Sequence, residues 1–253
     1  MLTNPAQTGE GLYRFTVEKE FISRKNNVYL VKANSRHAFA GKQRLLVYKE
    51  YTRPGRLPKE VKMLQKLREK GVAVPQIYEI GDNYILLEYL EGPLFLAYYC
   101  WQESISGSES SSLKDPAYQA IYSLCSWFKE FYTAVHEITG KQYIMGDINF
   151  RNFIIREKIY GIDMEECREG RKEEDIGSLC AYALTYSPNF TLWKIAMTGE
   201  LFQIFVDELG LDKKLVKEEM LKELFVIAQR RGIVYERINP LVDKLLEYSF
   251  NFV

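Results

Sequence analysis

The alternation of apolar and polar positions predicts a strand-rich first part of the chain built around one helix. Three runs of strand length are rich in β-branched, aromatic and apolar residues: Asn27–Lys32, Arg44–Tyr51 and Tyr84–Leu90. Between the last two runs, Val61, Leu64 and Leu67 recur at helical spacing. Gly71 follows at the position where a left-handed residue commonly closes a helix. The pattern predicts that residues 1–90 form a small β-rich lobe.

The clearest helical pattern of the chain begins after residue 115. Asp115-Pro116 is typical of an N-cap followed by proline in the first turn. Apolar residues then follow the i, i+3, i+4, i+7 rule: Ile121, Leu124, Cys125, Phe128, Phe131, Tyr132 and Val135. From Ile176 onward the pattern is again helical. Residues 91–253 are therefore predicted to form a larger, mainly helical lobe.

Composition excludes several classes of function. Of the 253 residues, 47% are hydrophobic and 27% charged, which is typical of a globular protein. Because 34 basic residues balance 34 acidic ones, binding of nucleic acid through bulk positive charge is disfavoured. The longest apolar run, Leu94–Trp101, is far shorter than the roughly 20 residues that span a bilayer. We therefore expect a cytoplasmic protein without a membrane partner; its oligomeric state stays open.

Three oxygen-bearing side chains have a spacing that suggests a metal site. Asn152 follows Asp147 by five positions, and Asp163 comes after two short apolar runs that can pair as a hairpin. Such a hairpin would return Asp163 to the neighbourhood of Asp147 and Asn152. Two carboxylates about 4 Å apart repel by roughly 4 kcal/mol at an effective dielectric constant near 20, so the group calls for a cation or a shared proton. Carboxylate and amide oxygens suit Mg²⁺.

The order of these residues resembles the protein-kinase-like superfamily, specifically its aminoglycoside phosphotransferase and choline kinase branch. Asp147-x-x-x-x-Asn152 resembles the catalytic loop of that family, and Ile162-Asp163-Met164-Glu165 resembles its metal-binding segment. Val47-Tyr48-Lys49 with Glu60 resembles the strand lysine that holds nucleotide phosphates and its ion-pair partner.

Two further segments agree with the same family. The stretch around Glu88 and Leu90 is similar to the approach to the adenine-binding hinge. Asp175 resembles the buried aspartate that braces the catalytic loop. As an alternative, Asp175 could be the N-cap of the helix that begins at Ile176.

The resemblance implies a fold and a reaction. The expected fold is α+β and bilobal, with a small antiparallel β-sheet lobe containing one helix and a larger, mainly helical lobe. The implied activity is transfer of the γ-phosphate of ATP to a hydroxyl of a small molecule. Asp147 would accept or orient the hydroxyl proton, Asn152 and Asp163 would bind Mg²⁺, and Lys49 would hold the phosphates.

Two departures from the family pattern affect these expectations. Met145 stands where the family usually has a histidine, mainly a packing residue. The expected phosphate turn, residues 23–27, contains no glycine. Its Ser23, Asn26 and Asn27 tolerate tight turns, so their backbone amides could still face phosphates.

Two other functions remain as alternatives at this point. An atypical serine/threonine protein kinase is one, although only eleven residues separate Asp163 from Asp175 and no Ala-Pro-Glu segment follows. A catalytically inactive nucleotide-binding pseudokinase is the other, suggested by the glycine-free turn and Met145. Glu165 is interpreted as a solvated acidic side chain, with contact to a second metal ion as the alternative.

Overall fold

The computed structural model describes residues 13–23, 25–35, 43–106 and 116–232. Within them the chain divides into two compact units. The sheet unit extends to Glu91 and includes Asp163–Glu165, and the helical unit contains Gly92–Ile162 and the residues from Glu166 onward. The predicted N-cap Asp115 and the helical pattern beyond Gly232 lie outside the described residues, as does Arg24 of the expected phosphate turn.

The sheet unit contains a five-stranded antiparallel sheet in the order β1-β2-β3-β5-β4. Its strands are β1 (Tyr13–Phe21), β2 (Asn26–Ser35), β3 (Arg44–Tyr51), β4 (Ile77–Ile80) and β5 (Tyr84–Glu88). The three predicted strands are confirmed, with ends shifted by a few residues for the first and third.

Side-chain alternation in β3 separates the core of the sheet from its chemically active face. Leu46 and Tyr48 join Val31, Ala33 and Leu86 in a buried apolar cluster. Because successive residues of a strand point to opposite faces, Lys49 and Tyr51 lie on the other side of the sheet. Both side chains are nevertheless buried.

The helix of the sheet unit, α1 (Leu57–Glu69), buries Glu60 together with its apolar stripe. Leu57, Leu64 and Leu67 are the buried apolar residues of this helix. Glu60 shares their face because it lies three positions after Leu57 and four before Leu64. Gly71 follows the helix with φ of +83°, as the sequence predicts.

The helical unit contains five described helices. They are α2 (Phe95–Ile105), α3 (Pro116–Thr139), α4 (Lys172–Thr185), α5 (Leu192–Leu209) and α6 (Lys213–Arg231). All seven apolar positions predicted to face the core from α3 are buried. None of the helices that the structure describes is both long and apolar enough to cross a membrane.

Two short strand pairs shape the segment predicted to carry the chemistry, one at its two ends and one inside it. The first joins β6 (Tyr143–Ile144) to β9 (Arg168–Glu169). The second is the predicted hairpin, in which β7 (Phe153–Ile155) pairs with β8 (Ile159–Gly161). Gly161 allows this hairpin to pack against α3, since a Cβ there would lie 2.1 Å from the Trp127 ring.

The expected fold class is confirmed: the protein is α+β, and its described residues form an antiparallel sheet with one α-helix in one unit and mainly helices in the other. The apolar run Leu94–Trp101, to which the sequence pattern assigned no element, lies largely within α2.

Candidate active site

A buried lysine at the centre of the sheet unit is surrounded by carboxylates. Lys49 lies on the middle strand β3, and its side chain is 6–7% exposed. Its Nζ donates to Glu60 Oε2 at 2.7 Å and to Asp163 Oδ1 at 2.8 Å. Glu165 Oε2 lies 3.7 Å from the same nitrogen. One ammonium group therefore serves three carboxylates.

The electrostatics keep Lys49 positively charged. Burial alone lowers the pKa of its ammonium, but Glu60, Asp163 and Glu165 together outweigh burial and raise that pKa above its usual value. Burial raises the pKa of Glu60, and the charge of Lys49 opposes this shift. The ammonium thus stays protonated at physiological pH and presents a fixed positive charge.

The orientation of Glu60 is fixed by three donors, two on strand β3 and one on the loop that follows β8. Besides Lys49, Tyr51 Oη donates to Glu60 Oε2 at 2.6 Å. The backbone N–H of Met164 donates to Glu60 Oε1 at 3.2 Å. Because both carboxylate oxygens have partners, the side chain is held in one position and in turn holds Lys49.

Asp163 adopts a backbone conformation that is uncommon for a residue other than glycine. Its φ is +68°, in the left-handed region that aspartate tolerates better than most residues do. Such strain is frequent where a side chain must be presented for function. The Asp163 side chain is 36% exposed, so its carboxylate can meet a ligand while Oδ1 contacts Lys49.

Glu165 is a functional candidate that sequence reasoning placed wrongly. Its side chain is 1% exposed rather than solvated. Asn26 Nδ2 donates to its Oε2 at 2.7 Å, and Arg56 Nη1 lies 3.6 Å from its Oε1. The expectation fails because the groups that bury and compensate this carboxylate come from parts of the chain more than a hundred positions away.

The three carboxylates around Lys49 are candidate metal ligands. Oxygens of Glu60, Asp163 and Glu165 lie within 4.8 Å of one another. Lys49 already supplies a cation to all three, so the trio is not free to enclose a metal ion by itself. Asp163 is different because it is partly exposed, and its hard oxygen ligands suit Mg²⁺.

The other residues predicted to contact nucleotide lie on the same unit. Ser23 is exposed, and its Oγ accepts from the backbone N–H of Asn26 at 3.4 Å. Asn27 Nδ2 donates to Glu50 Oε2 at 2.9 Å. Glu88 ends β5 and exchanges backbone and side-chain hydrogen bonds with Gln76, whereas Leu90 is buried. Their contacts with nucleotide stay predictions.

The helical unit holds the remaining predicted residues in a tight loop. Asn152 Nδ2 donates to the backbone carbonyl of Asp147 at 2.7 Å, closing the loop between them. Asn149 Oδ1 accepts from the backbone N–H of Arg151 and caps the short 3₁₀ turn Phe150–Asn152. Asp147 is half-buried and Asn152 is buried. Their convergence with Asp163 on one metal ion stays a prediction.

Asp175 braces the beginning of this loop. Its carboxylate accepts from the backbone N–H groups of Met145 at 2.9 Å and Gly146 at 3.1 Å, and from Tyr132 Oη at 3.1 Å. The alternative reading as an N-cap is wrong, because α4 begins at Lys172 and Asp175 lies inside its first turn. Met145 is fully buried, as a packing residue would be.

Burial of Asp175 has an electrostatic cost. It raises the pKa of the carboxyl to about 6, and the amides of Met145 and Gly146 and the hydroxyl of Tyr132 oppose the shift. Gly146, which follows the braced amide of Met145, has φ of +79°. A Cβ at Gly146 would lie 2.7 Å from the carbonyl oxygen of Glu166, so glycine is required at this turn.

Helix α6 supplies charged side chains near Asp147 that no sequence motif indicated. Arg230 Nη2 donates to Tyr182 Oη at 3.1 Å and to Glu223 Oε1 at 3.2 Å. The pKa of Arg230 is raised first by its hydrogen bond with Tyr182 and less strongly by the charges of Glu223 and Asp147. The surroundings of Asp147 thus include both signs of charge.

The fold is consistent with that of protein-kinase-like proteins, and comparison with known proteins supports a similarity at that level. No protein-family model matches the chain. Over 121 residues it is 27% identical to the EKC/KEOPS complex subunit BUD32 of Encephalitozoon cuniculi. The matched stretch covers 48% of this chain. The chain spans about half the length of that relative, 52%. The similarity supports the protein-kinase-like superfamily and gives no support to the aminoglycoside phosphotransferase branch.

Proposed function

We propose that this protein is an ATP- and Mg²⁺-dependent phosphotransferase of an atypical protein-kinase-like type. The observation that carries the proposal is the buried Lys49 ammonium, held between Glu60 Oε2 at 2.7 Å and Asp163 Oδ1 at 2.8 Å. A fixed positive charge beside a partly exposed carboxylate is the pairing that a metal-bound triphosphate requires.

Each residue has a role in the proposed reaction. Lys49 binds phosphate oxygens and Glu60 keeps it in place. Asp163 and Asn152 are the ligands for Mg²⁺, which when bound neutralises negative charge on the phosphates. Asp147 accepts or orients the proton of the attacking hydroxyl, and Asp175 fixes the loop that carries Asp147.

The first candidate for the acceptor is a hydroxyl group on a partner protein. The similarity to a subunit of the EKC/KEOPS complex favours a role as a subunit of a protein complex of that kind. The short segment between Asp163 and Asp175 offers little room for a loop that docks free peptides. A stably bound partner that presents its own hydroxyl would not need such a loop.

The second candidate is the hydroxyl of a small molecule. The same short segment favours it, because a compact acceptor needs no extended docking surface. A pseudokinase is disfavoured because Lys49, Glu60, Asp163, Asp147 and Asn152 are all present.

Turnover of labelled ATP by the purified full chain tests the activity. With Mg²⁺ present, we expect Asp163→Asn to lower the rate at least about a hundredfold, since a charged ligand of the metal ion that neutralises the phosphates is lost. Asp82→Asn, an exposed aspartate between β4 and β5, is the matched control and should retain the wild-type rate. Equal rates for wild type and Asp163→Asn would refute the proposal.

The acceptor is identified by where the label appears. Phosphate on a purified partner protein, lost in Asp163→Asn, supports the first candidate. Phosphate on a member of a panel of sugars, amino alcohols and nucleosides supports the second. Asp163-dependent release of inorganic phosphate alone would reject both acceptors and leave an ATPase.

A further inference from the structure

The buried Glu165 carboxylate contacts Lys49, which the proposed function assigns to nucleotide phosphates, and the side chain of Asn26 in the expected phosphate turn. We infer that Glu165 is an internal competitor of those phosphates and makes nucleotide binding depend on a divalent cation. The inference rests on the proposed function, since it concerns the same phosphate-binding groups.

The contacts of one carboxylate oxygen of Glu165 are the first observation behind this inference. Its Oε2 accepts from Asn26 Nδ2 at 2.7 Å and lies 3.7 Å from Lys49 Nζ. Asn26 belongs to the expected phosphate turn, and Lys49 is the expected phosphate-binding cation. An anionic oxygen of the protein thus already lies beside the cation and the turn that would receive an anionic oxygen of a ligand.

The second carboxylate oxygen gives an independent sign of incomplete compensation. Glu165 Oε1 is buried and accepts no hydrogen bond from any residue that the structure describes. Arg56 Nη1 lies 3.6 Å from it. Burying a carboxylate oxygen with so few partners costs free energy of folding. A functional role would account for why this cost is retained.

The charge balance of the cluster indicates the role of Glu165 in nucleotide binding. Lys49 and Arg56 contribute two positive charges, and Glu60, Asp163 and Glu165 contribute three negative ones. The five residues therefore carry a net charge of −1. A metal-free triphosphate brings several negative charges to this cluster and is repelled, whereas a nucleotide that brings Mg²⁺ adds two compensating positive charges.

Binding measurements on the full chain test the inference without reference to turnover. We would measure the Kd of ATP by isothermal titration calorimetry, once with excess Mg²⁺ and once with EDTA. The informative variant is Glu165→Gln, which removes one negative charge but retains the shape and an oxygen that can accept from Asn26. Glu69→Gln, an exposed acid at the other end of α1 from Glu60, makes the same change in total charge and is the matched control.

We expect Glu165→Gln to tighten binding of metal-free ATP at least about tenfold, with a smaller gain for ATP in the presence of Mg²⁺. Glu69→Gln should follow the wild type in both conditions. If Glu165→Gln does not fold, Glu165→Ala should change the preference for metal-bound ATP in the same direction.

The outcomes separate the inference from the proposed function. If the wild type binds ATP with Mg²⁺ and the Glu165 variant has the wild-type ratio of the two Kd values, the inference is refuted and the proposed function stands. If the wild type binds no ATP in either condition, the proposed function itself fails.

Discussion

At the scale of single residues, the buried cluster makes Lys49 important for stability as well as for its proposed phosphate contact. Replacing it with methionine leaves the fully buried Glu60 carboxylate without its counter-charge. We expect Lys49→Met to lower the free energy of unfolding by about 3–5 kcal/mol, measured by urea denaturation. The double variant Lys49→Met/Glu60→Gln should recover part of the loss, because the stranded charge is gone. A single variant as stable as the wild type would contradict this.

Asp175 gives a second residue-scale prediction, on pH dependence. Its pKa of about 6 in the folded protein lies above the ordinary value of 3.8, so folding disfavours its charged form. The contribution of this group to stability is therefore complete below pH 3.8 and is lost as pH rises through about 6. A shift of that size corresponds to about 3 kcal/mol.

Urea denaturation at pH 4 and pH 7 measures that contribution when the wild type is compared with Asp175→Asn. The wild type should lose about 2 kcal/mol more than the variant between the two pH values, because asparagine does not ionise and part of the effect already lies below pH 4. An identical change in both proteins would show that Asp175 does not titrate in this range.

At the scale of elements, local sequence patterns were sufficient to predict the helices and strands that depend on periodicity alone. The buried stripe of α3 and the β7–β8 hairpin follow from residues that are close in sequence, and both are confirmed. Helix α2 was missed because Leu94–Trp101 is apolar nearly throughout and shows no clear period, and only Phe95 and Tyr99 of that run are buried within the helix. A run in which every position is apolar has no periodicity, so its spacing does not predict a helix or a strand.

The packing of α4 against α6 carries an element-scale prediction. A Cβ at Gly177 would lie 2.6 Å from the backbone nitrogen of Met220 and 2.7 Å from Glu219 Cβ. Gly177→Ala must therefore move one helix, and we expect a loss of about 1–3 kcal/mol, or several degrees in Tm. Gly55→Ala is the control, since a Cβ there meets nothing within 4 Å. Equal Tm values for both variants would disprove the close approach.

At the scale of the whole molecule, the sequence predicted the fold class but not the burial of Glu165. Order and spacing of motifs identified Lys49, Glu60 and Asp163, and the structure unites these three in one cluster. The Asn26–Glu165 hydrogen bond joins residues 139 positions apart. Neither residue carries a local pattern that marks it as buried, so long-range pairing of this kind is outside the reach of periodicity and spacing.

The division of the proposed machinery between two units leads to the last prediction. The sheet unit contains the groups assigned to phosphate, and the helical unit contains Asp147, assigned to the acceptor hydroxyl. Asp147→Asn should lower turnover at least about a hundredfold, because proton transfer loses its base, and should leave the Kd of ADP with Mg²⁺ within about threefold of the wild type. Glu60→Gln should instead raise that Kd, because Lys49 loses the ion pair that holds it in place. Steady-state kinetics and calorimetry on the same preparations separate the two effects, with Asp82→Asn as the common control. If Asp147→Asn abolished nucleotide binding, or Glu60→Gln changed turnover alone, the assignment of binding to one unit and chemistry to the other would be wrong.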